Sequence, residues 1–177
     1  MAELASTPLI SKISRHRPTY FDIFSRASKL GLVDLKWSSP LLAKLSKPQV
    51  ILEELCQWNG KANVYYGKLE SGGADAIDIA VKIGDHDEIT DEALQYRDMH
   101  SLWGKTIPIC HGLYSLAAAG KQLGVLVLER FGSTIDCRLS SLSRMEKTTL
   151  LNHVLEIHSL GKILNDLQPR NWGLALD

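Results

Sequence analysis

Two β-prone segments on either side of a glycine turn place the strongest constraint on how this chain can fold. Residues 76–83 (A-I-D-I-A-V-K-I) alternate in the period-two pattern of a half-buried strand. Residues 62–69 (A-N-V-Y-Y-G-K-L) are also β-prone, with one valine and two tyrosines. Ser-Gly-Gly at residues 71–73 is a turn signal between them. The sequence therefore predicts an antiparallel hairpin.

A helix after this hairpin carries a carboxylate that suits the lysine of the second strand. Thr90 is a suitable N-cap, and residues 91–103 predict a helix with Glu92 on its apolar face. Lys82 stands at the end of an apolar strand, where an ammonium needs an anionic partner. We therefore expect Lys82 to pair with Glu92, with Glu88 as the alternative acid. The other interpretation is a lysine that reaches water and a glutamate that complements the helix dipole.

Other segments predict a further β-strand and a second helix. Residues 123–128 (L-G-V-L-V-L) form a continuous apolar run and predict a buried strand. Residues 49–58 are compatible with a helix, and residues 50–52 are equally compatible with a strand. Ser143 and Glu146 have the spacing of a capping box, which predicts a helix that runs to about Leu160.

The end of this helix leads into a loop. Residues 158–171 read H-S-L-G-K-I-L-N-D-L-Q-P-R-N, and they contain the spacing D-L-x-P-x-N from Asp166 to Asn171. A helix stop at Gly161, a polar turn and a proline would explain the stretch without any chemistry. The longer pattern of apolar helix, H-x-x-G and D-L-x-P-x-N favours a functional loop.

This stretch resembles the catalytic loop of protein kinases, H-R-D-L-x-x-x-N, whose Asp and Asn are also five residues apart. The A-V-K of residues 80–82 resembles the kinase motif V-A-I-K, and residues 129–132 (E-R-F-G) resemble the hinge, with Leu128 as gatekeeper. The likeness implies an α+β, two-lobed protein-kinase-like fold over residues 50–177. Its β-rich N-lobe, with one αC-type helix, would extend to about residue 132. Residues 133–177 would be the start of the helical C-lobe.

The resemblance also implies roles for individual residues. Asp166 would be the catalytic base and Asn171 a Mg²⁺ ligand, while Lys82 would bind the ATP phosphates with Glu92 as its partner. The remaining ATP contacts would come from Gly60 in the phosphate flap and from Glu129 and Phe131 in the hinge. The implied reaction is transfer of the ATP γ-phosphoryl group to a protein Ser or Thr hydroxyl.

Three departures from the kinase pattern lead us to expect an impaired reaction. Leu164 stands where kinases have the loop histidine, and Gly60 is the one glycine near the flap, out of register with a motif anchored on Val64. No D-F-G follows Asn171 in this sequence, as in a kinase truncated after its catalytic loop. The alternatives are a non-catalytic pseudokinase or binding module, and a small-molecule phosphotransferase of the aminoglycoside type.

Charge is unevenly distributed along the chain. The 177 residues have zero net charge, 45% apolar and 23% charged side chains, which is ordinary for a globular protein. Residues 1–49 predict a basic N-terminal extension, with a short amphipathic helix over residues 20–35 at best. A solvated tail is favoured there over contact with phosphates or a membrane surface.

The remaining features concern compartment and partners. The three cysteines, at 56, 110 and 137, lack C-x-x-C spacing, which fits reduced thiols in an intracellular, cytoplasmic or nuclear protein. No apolar run reaches the ~18 residues of a membrane span. The expected partner is a protein, as substrate or binding partner, and not a nucleic acid. The helix from Ser143 is apolar on more than one side, which predicts possible self-association.

Overall fold

The computed structural model of this chain describes residues 29–31, 35–38, 49–58, 62–71, 74–118, 120–135, 137–164 and 172–174. These residues form a mixed α+β structure with nine strands, two α-helices and two 3₁₀ turns. The strands are β1 (Lys29–Gly31), β2 (Leu35–Ser38), β3 (Gln49–Trp58), β4 (Ala62–Ser71), β5 (Ala74–Asp85), β6 (Cys110–Ala118), β7 (Lys121–Glu129), β8 (Ser133–Thr134) and β9 (Gly173–Leu174). The helices are α1 (His86–Asp98) and α2 (Arg144–Ser159), and the 3₁₀ turns are His100–Leu102 and Leu139–Ser141.

The main sheet has seven antiparallel strands in the order β1-β3-β4-β5-β7-β6-β2. The predicted hairpin is confirmed as β4–β5, and the predicted apolar strand is confirmed as β7. The segment at residues 49–58 is a strand, since its backbone groups pair along β4. Lys82 lies in the middle of the sheet, opposite Val64 on β4 and Leu126 on β7.

The first two strands lie at opposite edges of this sheet, although they are neighbours in sequence. β1 pairs with β3 and β2 pairs with β6, yet only residues 32–34 separate them. Four Cα–Cα steps join Gly31 to Leu35, and they span at most about 15 Å. The sheet must therefore curl until its two edges come close together.

The curl encloses one face of the sheet. This face holds a core of fully or nearly fully buried side chains: Val50, Tyr65, Leu69, Ile79, Val81, Ile83, Tyr114, Leu123, Val125 and Val127. The amphipathic helix predicted over residues 20–35 is wrong at its C-terminal end, where Lys29–Gly31 is a strand. The extension predicted for residues 1–49 thus contributes two strands to the sheet.

Helix α1 packs on the opposite face of the sheet. Ile89 and Ala93 are buried there against a second core, formed by Ala62, Cys110, Leu113, Leu126 and Leu128. Burial raises the pKa of the Cys110 thiol to about 12, because the thiolate would be poorly solvated. The partly buried side chain of Trp103 packs against this core. Its indole N–H donates to the carbonyl oxygen of Tyr96 at 2.9 Å.

The start of α1 differs from the prediction. Asp85 is the N-cap, and its carboxylate accepts from the backbone N–H groups of Asp87 at 3.0 Å and Glu88 at 3.4 Å. The expected cap, Thr90, lies inside the helix and donates its hydroxyl to the carbonyl oxygen of His86 at 2.7 Å. A carboxylate at the N-terminus satisfies free N–H groups and complements the helix dipole, so Asp85 supersedes Thr90.

Helix α2 begins with the predicted capping box, which the structure confirms between Ser143 and Glu146. It contacts the segment after α1, where Thr106 hydrogen-bonds with Glu156 and His153. Only Ile157 is buried in this helix, and several apolar side chains on or just after it are exposed: Met145, Leu151, Leu155, Leu160 and Ile163. Self-association through this surface stays a prediction.

None of the helices in the described ranges is long and apolar enough to cross a membrane. All three cysteines lie within the described residues, and each is a free thiol.

Candidate functional site

An ion pair between β5 and α1 forms the centre of the candidate site. The Nζ atom of Lys82 lies 2.6 Å from Oε2 of Glu92. The two side chains are 24% and 32% exposed, so the pair lies at the margin of the core and is open to solvent on one side. The structure thus brings together the two residues that the sequence pairs on chemical grounds.

The pair forms because strand and helix periodicities converge on one face. Side chains alternate along a strand, so Lys82 points away from the enclosed core that contains Val81 and Ile83. Glu92 is the seventh residue of α1, three positions after the buried Ile89, and therefore on the same side of the helix. Because Glu92 lies in the second turn of α1, it is not a first-turn glutamate that merely complements the helix dipole. The alternative acid, Glu88, is exposed in the first turn of α1.

The ammonium of Lys82 retains hydrogen-bonding capacity beyond this contact. A lysine ammonium has three N–H donors, and the contact with Glu92 accounts for one of them. Partial exposure leaves a path for an anion to reach the remaining donors. Glu92 fixes the position of the ammonium and leaves its other N–H donors available to an anion.

Small and apolar side chains lie beside the pair on the same face. Val64 is directly opposite Lys82, and Ala80 is directly opposite Leu128 in the next row of the sheet. Val64 and Ala80 are half-buried, whereas Leu128 is 9% exposed. The face next to the cation is therefore an apolar surface with little side-chain bulk at Ala80.

The predicted hinge, residues 129–132, begins with the last residue of β7, and this residue is hydrogen-bonded to Ile109 just before β6. The backbone N–H of Glu129 donates to the carbonyl oxygen of Ile109 at 2.8 Å. The Glu129 carboxylate in turn accepts from the N–H of Ile109 at 3.0 Å. Phe131 is half-buried, and its ring packs against Gly173, where an added Cβ would stand 2.5 Å from the ring. A side chain larger than hydrogen cannot occupy position 173 without displacing Phe131.

The two ends of the predicted catalytic loop are attached to the elements that flank the ion pair. Before the loop, the Nζ atom of Lys162 contacts Asp98 at 2.7 Å and Gln95 at 2.8 Å, both on α1. After the loop, the N–H of Ile135 donates to the carbonyl oxygen of Trp172 at 3.0 Å. The antiparallel pair β8–β9 continues this contact. The described flanks thus contact α1 on one side and residues 133–135, just after the hinge segment, on the other.

Several predicted site residues lie outside the described residues. They are Gly60, Asp166 and Asn171. Leu164, which stands at the position of the kinase loop histidine, is described and half-buried. Within the described ranges, no cluster of three or more His, Cys, Asp or Glu side chains could hold a metal ion. The expected Mg²⁺ ligand, Asn171, falls outside those ranges.

One feature of the site was not predicted from the sequence. The guanidinium carbon of Arg130 lies 4.2 Å from the centroid of the Tyr66 ring, on the strand that carries Val64. The pKa of Tyr66 is raised, mainly by a hydrogen bond with the Cys56 thiol and by burial. An aromatic residue in a β-prone segment is unremarkable by itself, so the sequence gives no signal for this stack.

A second unpredicted group is a buried histidine at the start of β6. His111 is 2% exposed, and neither ring nitrogen has a hydrogen-bond partner in the structure. Burial lowers the pKa of His111, and the nearby Glu129 carboxylate opposes this effect. The register of β6 against β7 shifts between Cys110 and Gly112, which makes His111 the extra residue of a bulge.

No protein-family model matches the chain, and no curated protein matches its sequence.

Proposed function

We propose that this chain carries a protein-kinase-like nucleotide site in which Lys82 binds the phosphates of Mg²⁺·ATP. The observation that carries the proposal is the contact of 2.6 Å between Lys82 on a central strand and Glu92 on the following helix. In protein kinases a strand lysine is likewise held by a glutamate of the next helix. The class of chemistry is transfer of a phosphoryl group to a Ser or Thr hydroxyl of a protein.

The surroundings of the pair support a nucleotide as the ligand. Ala80 and Leu128 supply an apolar row of the sheet next to the cation, beside which a nucleoside can lie. The elements occur in the kinase order: hairpin, lysine strand, helix with glutamate, apolar strand, connecting segment and long helix. A two-lobed fold is part of the same proposal.

The loop at residues 165–171 would provide the groups for transfer. Asp166 would accept the proton of the attacking hydroxyl, and Asn171 would help to hold Mg²⁺. The described residues on either side of this loop support the proposal, since Lys162 contacts α1 and Trp172 contacts Ile135 just after the hinge segment. Bound Mg²⁺·ATP would supply the phosphoryl group and neutralise charge that develops during transfer.

Isothermal titration of Mg²⁺·ATP into the wild-type chain and Lys82→Ala tests the proposal. We expect binding by the wild type and a loss of at least tenfold in the variant, because the main phosphate cation is removed. Lys68→Ala is the matched control, since Lys68 is an exposed lysine of the neighbouring strand that pairs with Asp78 at 2.8 Å. Equal affinities of the wild type and Lys82→Ala would remove Lys82 from the site.

A transfer assay distinguishes an active enzyme from a non-catalytic nucleotide-binding module. Radiolabelled ATP and a mixture of generic protein substrates are incubated with the wild type and with Asp166→Ala. Phosphoprotein formation that Asp166→Ala abolishes supports the kinase reaction. Binding of ATP without any transfer supports the non-catalytic alternative.

A further inference from the structure

A planar cation lies on an aromatic ring one row from Lys82. The guanidinium of Arg130 is stacked over Tyr66, and Tyr66 is directly opposite Ala80 in the sheet. Ala80 is two positions from Lys82 along β5, a step of about 7 Å on the same face. The stack and the ammonium are therefore neighbours on the side of the sheet that carries α1.

Contacts with the rest of the protein restrain both Tyr66 and Arg130. The Tyr66 ring is half-buried on β4, which limits its movement. The backbone N–H of Arg130 donates to the carbonyl oxygen of Asp78 at 3.3 Å, which fixes the start of its side chain. Arg130 itself is exposed, so the plane of its guanidinium that faces away from Tyr66 is accessible. A flat cation with one covered and one open face suits a planar aromatic ligand.

Two backbone N–H groups next to the stack cannot hydrogen-bond with the edge of a base, because each already has a partner. The N–H of Glu129 is used by Ile109, and the N–H of Arg130 is used by Asp78. Stacking differs from edge recognition because every nucleobase has a π-face, so it discriminates poorly between bases. The residues of this face therefore favour recognition of a base by its plane.

We propose that Arg130 is the platform on which the nucleotide base stacks, and that Tyr66 positions it by covering its other face. This inference depends on the proposed function, in which Lys82 binds the phosphates of the same nucleotide. The ligand class is consequently nucleoside triphosphates in general, with little preference between adenine and guanine. Arg130 would contact the ligand, whereas Tyr66 would act through Arg130.

The test compares ligands with and without a base in the full chain. Mg²⁺ complexes of ATP, GTP and inorganic tripolyphosphate are titrated calorimetrically into the wild type, Arg130→Lys, Tyr66→Leu and Lys82→Ala. Arg130→Lys retains the charge but removes the planar face, so we expect ATP and GTP to bind about ten- to a hundredfold more weakly. Tripolyphosphate affinity should not change in this variant, but it should fall in Lys82→Ala.

Two controls keep the outcome interpretable. Lys121→Ala removes an exposed lysine at the distant start of β7 and should leave all three affinities unchanged. Tyr66→Phe retains a ring over which the guanidinium can lie, so it should lose less affinity for ATP than Tyr66→Leu. Because Arg130 is exposed, Arg130→Lys should unfold at the wild-type temperature even if Tyr66→Leu is destabilised.

The possible results separate this inference from the proposed function. If the wild type and Arg130→Lys bind ATP equally, the platform is wrong and the phosphate site at Lys82 remains. A wild-type preference of more than tenfold for ATP over GTP overturns recognition by stacking, since it requires a reading of the base edge. No binding of ATP or GTP to the wild type overturns both proposals together.

Discussion

Gly124 on β7 lies directly beneath Ile89 on α1. A Cβ atom placed on Gly124 would stand 2.5 Å from the Cβ atom of Ile89 and 3.3 Å from the carbonyl oxygen of His86. The helix can approach the sheet this closely because the strand lacks a side chain at that point. This contact determines how far α1 lies from the sheet, and therefore how far Glu92 lies from Lys82.

Gly124→Ala should therefore destabilise the fold and disturb the ion pair. Overpacking of this kind costs about 1–3 kcal/mol, because the helix must move or the side chains must leave their preferred rotamers. Chemical denaturation of the variant measures the cost, and titration with Mg²⁺·ATP measures the effect at the proposed site. Gln122→Ala, at an exposed position of the same strand, should change neither quantity. Wild-type stability in Gly124→Ala would show that α1 has room to adjust.

The Lys82–Glu92 pair should contribute measurably to stability. Exposed ion pairs contribute up to about 1 kcal/mol, whereas breaking a fully buried pair costs about 3–5 kcal/mol. The pair is about one-quarter to one-third exposed, so we expect a coupling energy on the order of 1–2 kcal/mol. A double-mutant cycle with Lys82→Met and Glu92→Gln, followed by urea denaturation, gives this energy directly. Additive effects of the two substitutions would mean that the contact has no net energy.

The buried imidazole of His111 should make stability depend on pH. Burial depresses the pKa of His111 in the folded protein below its ordinary value near 6.5, so the unfolded chain binds a proton at a higher pH than the folded chain. The free energy of unfolding then falls as pH drops below about 6.5, by at most about 1.4 kcal/mol per pH unit for one proton. His111→Leu should reduce this slope between pH 7 and 5. His100→Gln, at an exposed site, should retain it, and an unchanged slope in His111→Leu would assign the effect to other groups.

Truncation of Ile157 and of Leu155, two residues of equal size on α2, should show which side of this helix is packed. Ile157 is 3% exposed, whereas Leu155 is 54% exposed. Ile157→Ala should lower the free energy of unfolding by about 2–4 kcal/mol through lost burial and a residual cavity. Leu155→Ala should change it by less than about 0.5 kcal/mol. A large loss in Leu155→Ala would reveal that its side chain is covered in solution, as self-association would require.

The sequence predicts the centre of the site better than its margins. The pairing of Lys82 with Glu92 follows from two local periodicities and from the cost of burying a charge without a partner. The start of α1 does not follow from the sequence alone, because Asp85 and Thr90 are both good caps and packing against the sheet selects between them. The prediction for residues 91–103 therefore placed Glu92 too near the helix start.

Other features depend on contacts between distant parts of the chain. Strands β1 and β2 contain three and four residues, too few to show a period, and they form because β3 and β6 present unpaired edges. The stack of Arg130 on Tyr66 requires β4, β5 and β7 to lie side by side in one register. The presence of an arginine and a tyrosine in the sequence does not by itself predict this contact.

The position of β2 at the edge of β6 has a consequence for the order of events during synthesis. Leu35 pairs with Tyr114, roughly eighty positions later in the chain. At ribosomal rates of about 5–20 residues per second, that partner is made on the order of ten seconds after Leu35 itself. An early segment of the chain must therefore wait for a late one before the curled sheet can close. A nascent chain arrested before residue 110 would expose the row of N–H and C=O groups that β6 later covers.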